Sequence, residues 1–151
     1  MRILIQRVKR ASVTIDGKVH SSIDEGLLAL VGFCESDTED YLLPMADKMI
    51  NLRIFEDDGG KMNLSLKDID GSLLAVSQFT LYADCKKGRR PSFTDAKNPQ
   101  EANALYEKFV LVCQKLLGKE IGTGVFGADM KVELLNDGPV TVMLDSDIII
   151  K

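Results

Sequence analysis

Ser77, Gln78, Phe79 and Thr80 stand where an apolar run, Leu73-Leu74-Ala75-Val76, gives way to a polar and basic stretch. A strand that ends this way brings hydroxyl, amide and backbone N–H groups to the rim of a sheet. Some of those N–H groups leave the hydrogen-bond ladder there and can face a ligand. In a dry, preorganised pocket such donors stabilise a developing oxyanion, each by about 3 kcal/mol. The Thr80 hydroxyl offers a competing route, nucleophilic attack, but no histidine or free amine lies near it in sequence to take its proton. A second segment, Asn136-Asp137-Gly138-Pro139-Val140-Thr141, begins with strong turn composition and returns to apolar alternation at Val140, Val142 and Leu144. Taken alone, an ordinary strand end and an ordinary turn account for the two segments.

Most other catalytic equipment is missing. The single histidine, His20, sits beside Ser21 and Ser22 in a predicted hairpin, so neither a Ser-His-Asp triad nor a His-rich metal site is supported. Gly118, Gly122, Gly124 and Gly127 lack the strand-to-helix context of a phosphate-binding loop, and Asp57-Asp58 reads as a turn. Cys34, Cys85 and Cys113 are odd in number and far apart, which suits reduced thiols of a cytosolic protein.

The 151 residues are 45% apolar and 28% charged, without repeats, linkers or low-complexity tracts, so one continuous domain over 1–151 is expected. A chain this small has little room for both a core and a deep cleft, which points to a ligand site at a subunit boundary. No run is long enough for a membrane span, and the apolar start is broken at Gln6 and Arg7. A net charge of −4 argues against coating nucleic acid by bulk electrostatics, so any RNA contact must be local. Two basic clusters could supply it: Arg2, Arg7, Lys9 and Arg10, and Lys86, Lys87, Arg89 and Arg90.

The elements that must position these groups are strands around two helices. Asp16-Gly17 suits a two-residue hairpin turn after Val13, Thr14 and Ile15. Residues 26–33 form an apolar run of strand length, expected to be covered on both faces. Ser36-Asp37-Thr38-Glu39 has capping-box spacing for a first helix whose Leu42, Met45, Ala46 and Met49 share a face; Pro44 requires a kink or a late start. The second helix runs from an Asn98 N-cap through Pro99 and Glu101 to Gly118, with a wide apolar stripe from Ala102 to Leu117. The expected fold is α+β, a large mixed or mostly antiparallel, barrel-like sheet with two main helices.

Taken in order, Ile5-Gln6-Arg7-Val8, Ser77-Gln78-Phe79-Thr80, Arg90-Pro91-Ser92-Phe93, Gly127-Ala128-Asp129-Met130 and Gly138-Pro139-Val140-Thr141 closely resemble the motifs of the D-aminoacyl-tRNA deacylases, covering nearly the whole chain. That resemblance implies a homodimeric esterase with shared active sites and no metal or organic cofactor. It would free D-amino acids, and mischarged glycine, from tRNA. Ser77, Gln78, Phe79 and Thr80 would form the catalytic loop, with the backbone of Phe79 and Thr80 facing the ester carbonyl. The Gly138-Pro139 peptide would be cis and, with Val140 and Thr141, would enter the partner's site to meet the substrate's amino group. An X-Pro bond adopts the cis form at a cost of only about 0.5–1 kcal/mol. Arg7 would brace this turn across the dimer, and Phe126, Ala128 and Met130 would line the adenosine pocket. Lys86, Lys87, Arg89 and Arg90 would contact tRNA, and Tyr82 would alter the pocket rim. A binding module for tRNA acceptor ends or single-stranded nucleic acid is the rival from another class; the low basic charge and few aromatic residues weigh against it.

Overall fold

The computed structural model describes residues 1–150. Strand β1, Arg2–Ile15, and strand β2, Lys18–Ile23, form the expected hairpin. Its turn residues Asp16 and Gly17 both have positive φ, 50° and 76°, matching the twist of a two-residue turn. Strand β3, Gly26–Gly32, follows, then helix α1, Leu42–Asn51, and a small ribbon of β4, Phe55–Glu56, with β5, Met62–Leu64. Strand β6, Ser72–Ser77, ends in one turn of 3-10 helix, Phe79–Tyr82. Helix α2, Pro99–Leu117, strand β7, Gly122–Thr123, strand β8, Lys131–Asp145, and the short helix α3, Ser146–Ile149, complete the order.

The main sheet runs β2-β1-β3-β6-β7, with β8 on the other edge of β1. Pairing is antiparallel except for β3 with β6 and β6 with β7, which are parallel. Gly122 of β7 lies against β2: a Cβ there would sit 2.6 Å from Ser21 Oγ and 3.2 Å from Ile23 Cγ2, so the sheet nearly closes into a barrel. Strand β3 is apolar throughout because both faces are covered. Leu27, Ala29 and Val31 join α1 and α2 in the larger core, whereas Leu28 meets Val8, Ala11, Val13, Leu74 and Val76 inside the curl.

Helix α2 matches its sequence signals. Asn98 accepts the Glu101 N–H, and Gly118 closes the C-terminus at φ 68°. Its buried stripe includes Ala102, Leu105, Tyr106, Phe109 and Cys113; burial in apolar surroundings raises the Cys113 thiol to about 12. No helix of the described residues is long and apolar enough to cross a membrane.

The capping box before α1 does not form. The helix starts late, at Leu42, with no side-chain cap, so Pro44 falls in the first turn where no backbone donor is required of it. Asp37 is used otherwise: its carboxylate receives the Met1 ammonium and the Cys34 N–H, the latter at 2.7 Å. Both ionic partners are buried, at 0% and 1% exposure, and the ammonium also donates to Ser146 Oγ. This clamp joins the start of β1, the loop after β3 and α3. Asp37→Ala would leave a buried charge uncompensated, with an expected loss of about 3–5 kcal/mol. Urea unfolding measures it, and an unchanged midpoint would remove the clamp from the stabilising interactions.

Candidate functional site

Strand β6 keeps its parallel register with β3 up to Val31 and Ser77, and the Gln78 N–H makes the last bond, to the Val31 carbonyl at 2.7 Å. The chain then leaves the sheet at Gln78 (φ −146°, ψ 83°) and turns into the 3-10 segment. Gly32 makes room for this departure, since a Cβ there would lie 2.8 Å from the Gln78 carbonyl oxygen and 3.1 Å from Leu81 Cβ. Carbonyls of Gln78 and Thr80 are taken by the N–H groups of Leu81 and Ala83. The N–H groups of Phe79 and Thr80 have no acceptor among the described residues. Gln78 Nε2 donates to Thr80 Oγ1, fixing the hydroxyl against the loop.

A cleft of about 320 Å³ opens beside these groups, lined on one side by Val76, Ser77, Gln78 and Phe79 and on the other by residues 126–130 and Val132. The structure therefore brings Phe126, Ala128 and Met130 against the Ser77-Gln78-Phe79-Thr80 loop, although about fifty positions separate them in the chain. Strand β7 anchors this second wall. Gly124 donates to the Ala75 carbonyl, which also receives the Tyr106 hydroxyl at 2.8 Å. Gly124 has a packing role that the sequence does not announce, because a Cβ there would meet Met130 Sδ at 2.4 Å.

Phe79 is 53% exposed and meets Phe93 edge-on, ring centroids 4.9 Å apart. Paired N–H to carbonyl bonds between Asp84 and Ser92 close the base of the intervening loop. Lys86, Lys87, Arg89 and Arg90 are all exposed on that loop and form no ion pair among the described residues. The unpaired cations are thus tied to the cleft through Phe93, a residue quoted only within a motif by sequence reasoning.

Of the other basic cluster, Arg10 is exposed and without an ion pair among the described residues, whereas the remaining three are engaged. Arg2 pairs with Asp145 at 2.9 Å, donates to the Leu81 carbonyl and lies 4.5 Å over the Tyr82 ring. Lys9 bridges Glu25 and Asp137, and Arg7 is buried. Tyr82 does not reach the cleft rim either: it packs inward beneath Arg2, and burial pushes its hydroxyl well above the usual tyrosine range. His20 is exposed and lines a second cavity, between α2 and residues 123–126, which shares Phe126 with the cleft but includes none of residues 77–80.

The Asn-Asp-Gly-Pro turn does not reverse the chain. Both sides of it belong to β8 and pair with the same strand, Asn136 opposite Val8 and Thr141 opposite Gln6, so residues 137–140 bulge out opposite Arg7. The Gly138-Pro139 peptide is cis and Gly138 has φ 134°. Arg7 braces this bulge within its own chain: Nε donates to the Asp137 carbonyl at 2.9 Å and Nη1 to the Ile54 carbonyl at 2.7 Å. A guanidinium on the neighbouring strand is simply the nearest donor.

None of residues 137–141 lines the cleft. The register explains why. One row of the sheet joins Leu144, Ile3, Val31 and Ser77, and another joins the bulge, Arg7, Leu27 and Leu73. With strands ~4.8 Å apart and residues rising ~3.3 Å, three strand spacings and four residues separate Gly138 from Ser77 by roughly 15–20 Å. Among the described residues no cluster of three or more His, Cys, Asp or Glu could hold a metal ion.

Residues 4–145 match the family described as D-Tyr-tRNA(Tyr) deacylase. The D-aminoacyl-tRNA deacylase of Clostridium tetani is 53% identical over 146 residues, spanning 97% of this chain and 97% of that protein. Its counterpart from Thermosipho africanus is 55% identical with the same coverage. A solved structure named c-Myc DNA Unwinding Element Binding Protein superposes with a TM-score of 0.91 at 41% identity, covering 97% of this chain and 99% of that one. A probable eukaryotic D-amino acid tRNA deacylase, 18% identical, shares the fold at TM-score 0.84 over 95% of this chain and 97% of its own.

Proposed function

We infer that this chain, which belongs to the D-Tyr-tRNA(Tyr) deacylase family, hydrolyses the ester of D-aminoacyl-tRNA by backbone oxyanion stabilisation, in sites completed by a second copy of itself. The observation that carries the chemistry is the pair of acceptor-free N–H groups of Phe79, which lines the cleft, and of Thr80, the residue after it. Water adds to the acyl carbonyl, and its oxygen gains a negative charge that these amides receive. Collapse of the tetrahedral intermediate breaks the bond to the ribose oxygen, which takes a proton and leaves as the free tRNA hydroxyl. The neighbouring ribose hydroxyl positions the water, so the protein needs few acid-base groups. A nucleophilic Thr80 fits less well, because the partner of its hydroxyl is an amide donor and not a base. Ser77 and Gln78 shape the loop, and Phe126, Ala128 and Met130 hold the terminal adenosine in the opposite wall.

Chiral selection falls to Gly138, Pro139, Val140 and Thr141 of a partner subunit. Three features support a shared site. The bulge and the cleft of one chain are too far apart to grip one ester. Gly138 and Pro139 are exposed. Strand β8 pairs only with β1, leaving a long outer edge with Leu134, Leu135 and Met143 exposed, the kind of edge that recruits another chain. With its amino group on the bulge carbonyls, a D side chain projects outward whereas an L side chain strikes rigid main chain; glycine escapes the exclusion. The cytosol, where charged tRNA is used, is the compartment this reading requires.

Release of D-tyrosine, L-tyrosine and glycine from their charged tRNAs tests the function: D-tyrosine and glycine are expected to leave and L-tyrosine to stay. Equal rates for both tyrosine enantiomers would remove the D-specific reading, and no release with intact tRNA binding would favour the binding module. Thr80→Ala keeps the N–H and is expected to retain a substantial fraction of activity, whereas Thr80→Pro deletes it and should be far slower. A loss of about 10⁴-fold in a folded Thr80→Ala protein would assign the hydroxyl a chemical role.

Neutralising Lys86, Lys87, Arg89 and Arg90 together should weaken tRNA binding for every amino acid alike and flatten its salt dependence, because phosphate contacts position without reading the acyl group. Unchanged affinity and slope would make the loop plain surface.

Mixed dimers test the shared site. Subunits with a disabled oxyanion loop are combined with subunits carrying a disabled Gly138-Pro139 bulge, each inactive alone. One site of the mixed dimer then collects both defects and the other is complete, so about half the wild-type activity should return. Mixed dimers that form but stay inactive would show that each chain builds its own site.

A further inference from the structure

The bulge at 137–140 has left the β1–β8 ladder, so its position depends on side chains. Arg7 holds its beginning through the Asp137 carbonyl. Its end is held by Asn136, whose Oδ1 accepts the Val140 N–H at 2.8 Å and whose Nδ2 donates to Thr141 Oγ1 at 2.9 Å. The orientation of this amide follows from the bonds, because only its oxygen can accept from a backbone N–H. Gln6 Nε2 approaches the same hydroxyl oxygen at 3.4 Å from β1. Between the two anchors Gly138 and Pro139 are exposed and have no partner in the β1–β8 ladder.

We propose that Asn136 is a positioning residue for chiral discrimination: by tying Val140 and Thr141 together beneath the bulge, it sets the direction in which the Gly138 and Pro139 carbonyls leave the sheet. The proposal rests on the reading that those carbonyls receive the substrate's amino group. Asn136 touches no substrate; it acts through the bulge. Without its amide the Val140 N–H loses its acceptor and the bulge is anchored only at Asp137. A carbonyl displaced by about 1 Å is enough to cost up to about 10²-fold in a reaction that relies on fixed geometry. The same displacement relaxes the wall that excludes an L side chain.

The test measures kcat and KM on D-Tyr-tRNA and L-Tyr-tRNA, with melting temperature as the check on folding. Asn136→Ala is expected to lower kcat/KM for the D substrate by about 10–100-fold and to reduce D-over-L selectivity in a protein that still folds. Asn136→Asp, whose carboxylate can accept both the Val140 N–H and a Thr141 hydroxyl turned inward, should regain most of the selectivity. A merely structural role would lower the melting temperature and leave selectivity untouched, which would overturn the proposal. Should Asn136→Ala not fold, Thr141→Val removes the other half of the tie and carries the same expectation. Gly138→Ala is the control for the underlying reading, since its Cβ would press Val140 Cγ2 at 2.9 Å and Arg7 Nη2 at 3.0 Å. If Gly138→Ala leaves selectivity intact, the carbonyl reading itself fails. If Gly138→Ala abolishes selectivity but Asn136→Ala preserves it, that reading stands and Asn136 is not its positioning residue.

Discussion

Strand β1 is hydrogen-bonded along both edges, to β3 and β2 on one side and to β8 on the other, and every other placement depends on this. A strand paired on both sides cannot slip by one residue without turning its apolar set to the wrong face. Ile3 and Ile5 are therefore held in the larger core and Val8, Ala11 and Val13 inside the curl of the sheet. The same register assigns the two candidate segments to different rows. The Ser77 row passes through Ile3, and the bulge sits on the Arg7 row. That separation is what favours the proposed two-chain site.

In the proposed reaction the working groups are largely backbone. Amides of Phe79 and Thr80 are free because the chain leaves β3 at Gln78, and it can leave there because Gly32 has no side chain to obstruct it. Carbonyls of the bulge are available because β8 breaks its pairing opposite Arg7. Main-chain dipoles fixed by the flanking strands and by side-chain ties would need little reorganisation as charge develops. A side-chain acid or base would add conformational freedom at the point where the reaction needs none. Buried charge is used sparingly and always with a partner: Arg7 against two carbonyls, and the Met1 ammonium against Asp37.

Much of this was legible in the residues. Asp16-Gly17, the apolar run of β3 and the Asn98 to Gly118 helix are local signals, each complete within one turn or one element, and each formed as read. The late start of α1 was one of two outcomes that Pro44 allowed. The end of β6 at Ser77, with the acceptor-free amides of Phe79 and Thr80 after it, also follows from a local change, a strand meeting a polar loop.

What tertiary structure decided is the set of partnerships between residues distant in the chain. Ser36 and Glu39 had capping spacing, yet Glu39 pairs with Lys108 of α2, while Asp37 between them receives a buried ammonium and the Cys34 N–H. Asn136-Asp137-Gly138-Pro139 has the composition of a reversal, but β1 continues past it and pairs with both flanks, which makes it a bulge. Arg2, Arg7, Lys9 and Arg10 read as one basic cluster because sequence counts charges and not their partners; Asp145, Asp137 and Glu25 arrive from β8 and from the turn before β3 to pair the first three, and Arg10 stays exposed. Residue types and short spacings determine which groups a segment can offer. Only the long-range register determines which of those groups remain unpaired, and the unpaired ones are those left to act on a ligand.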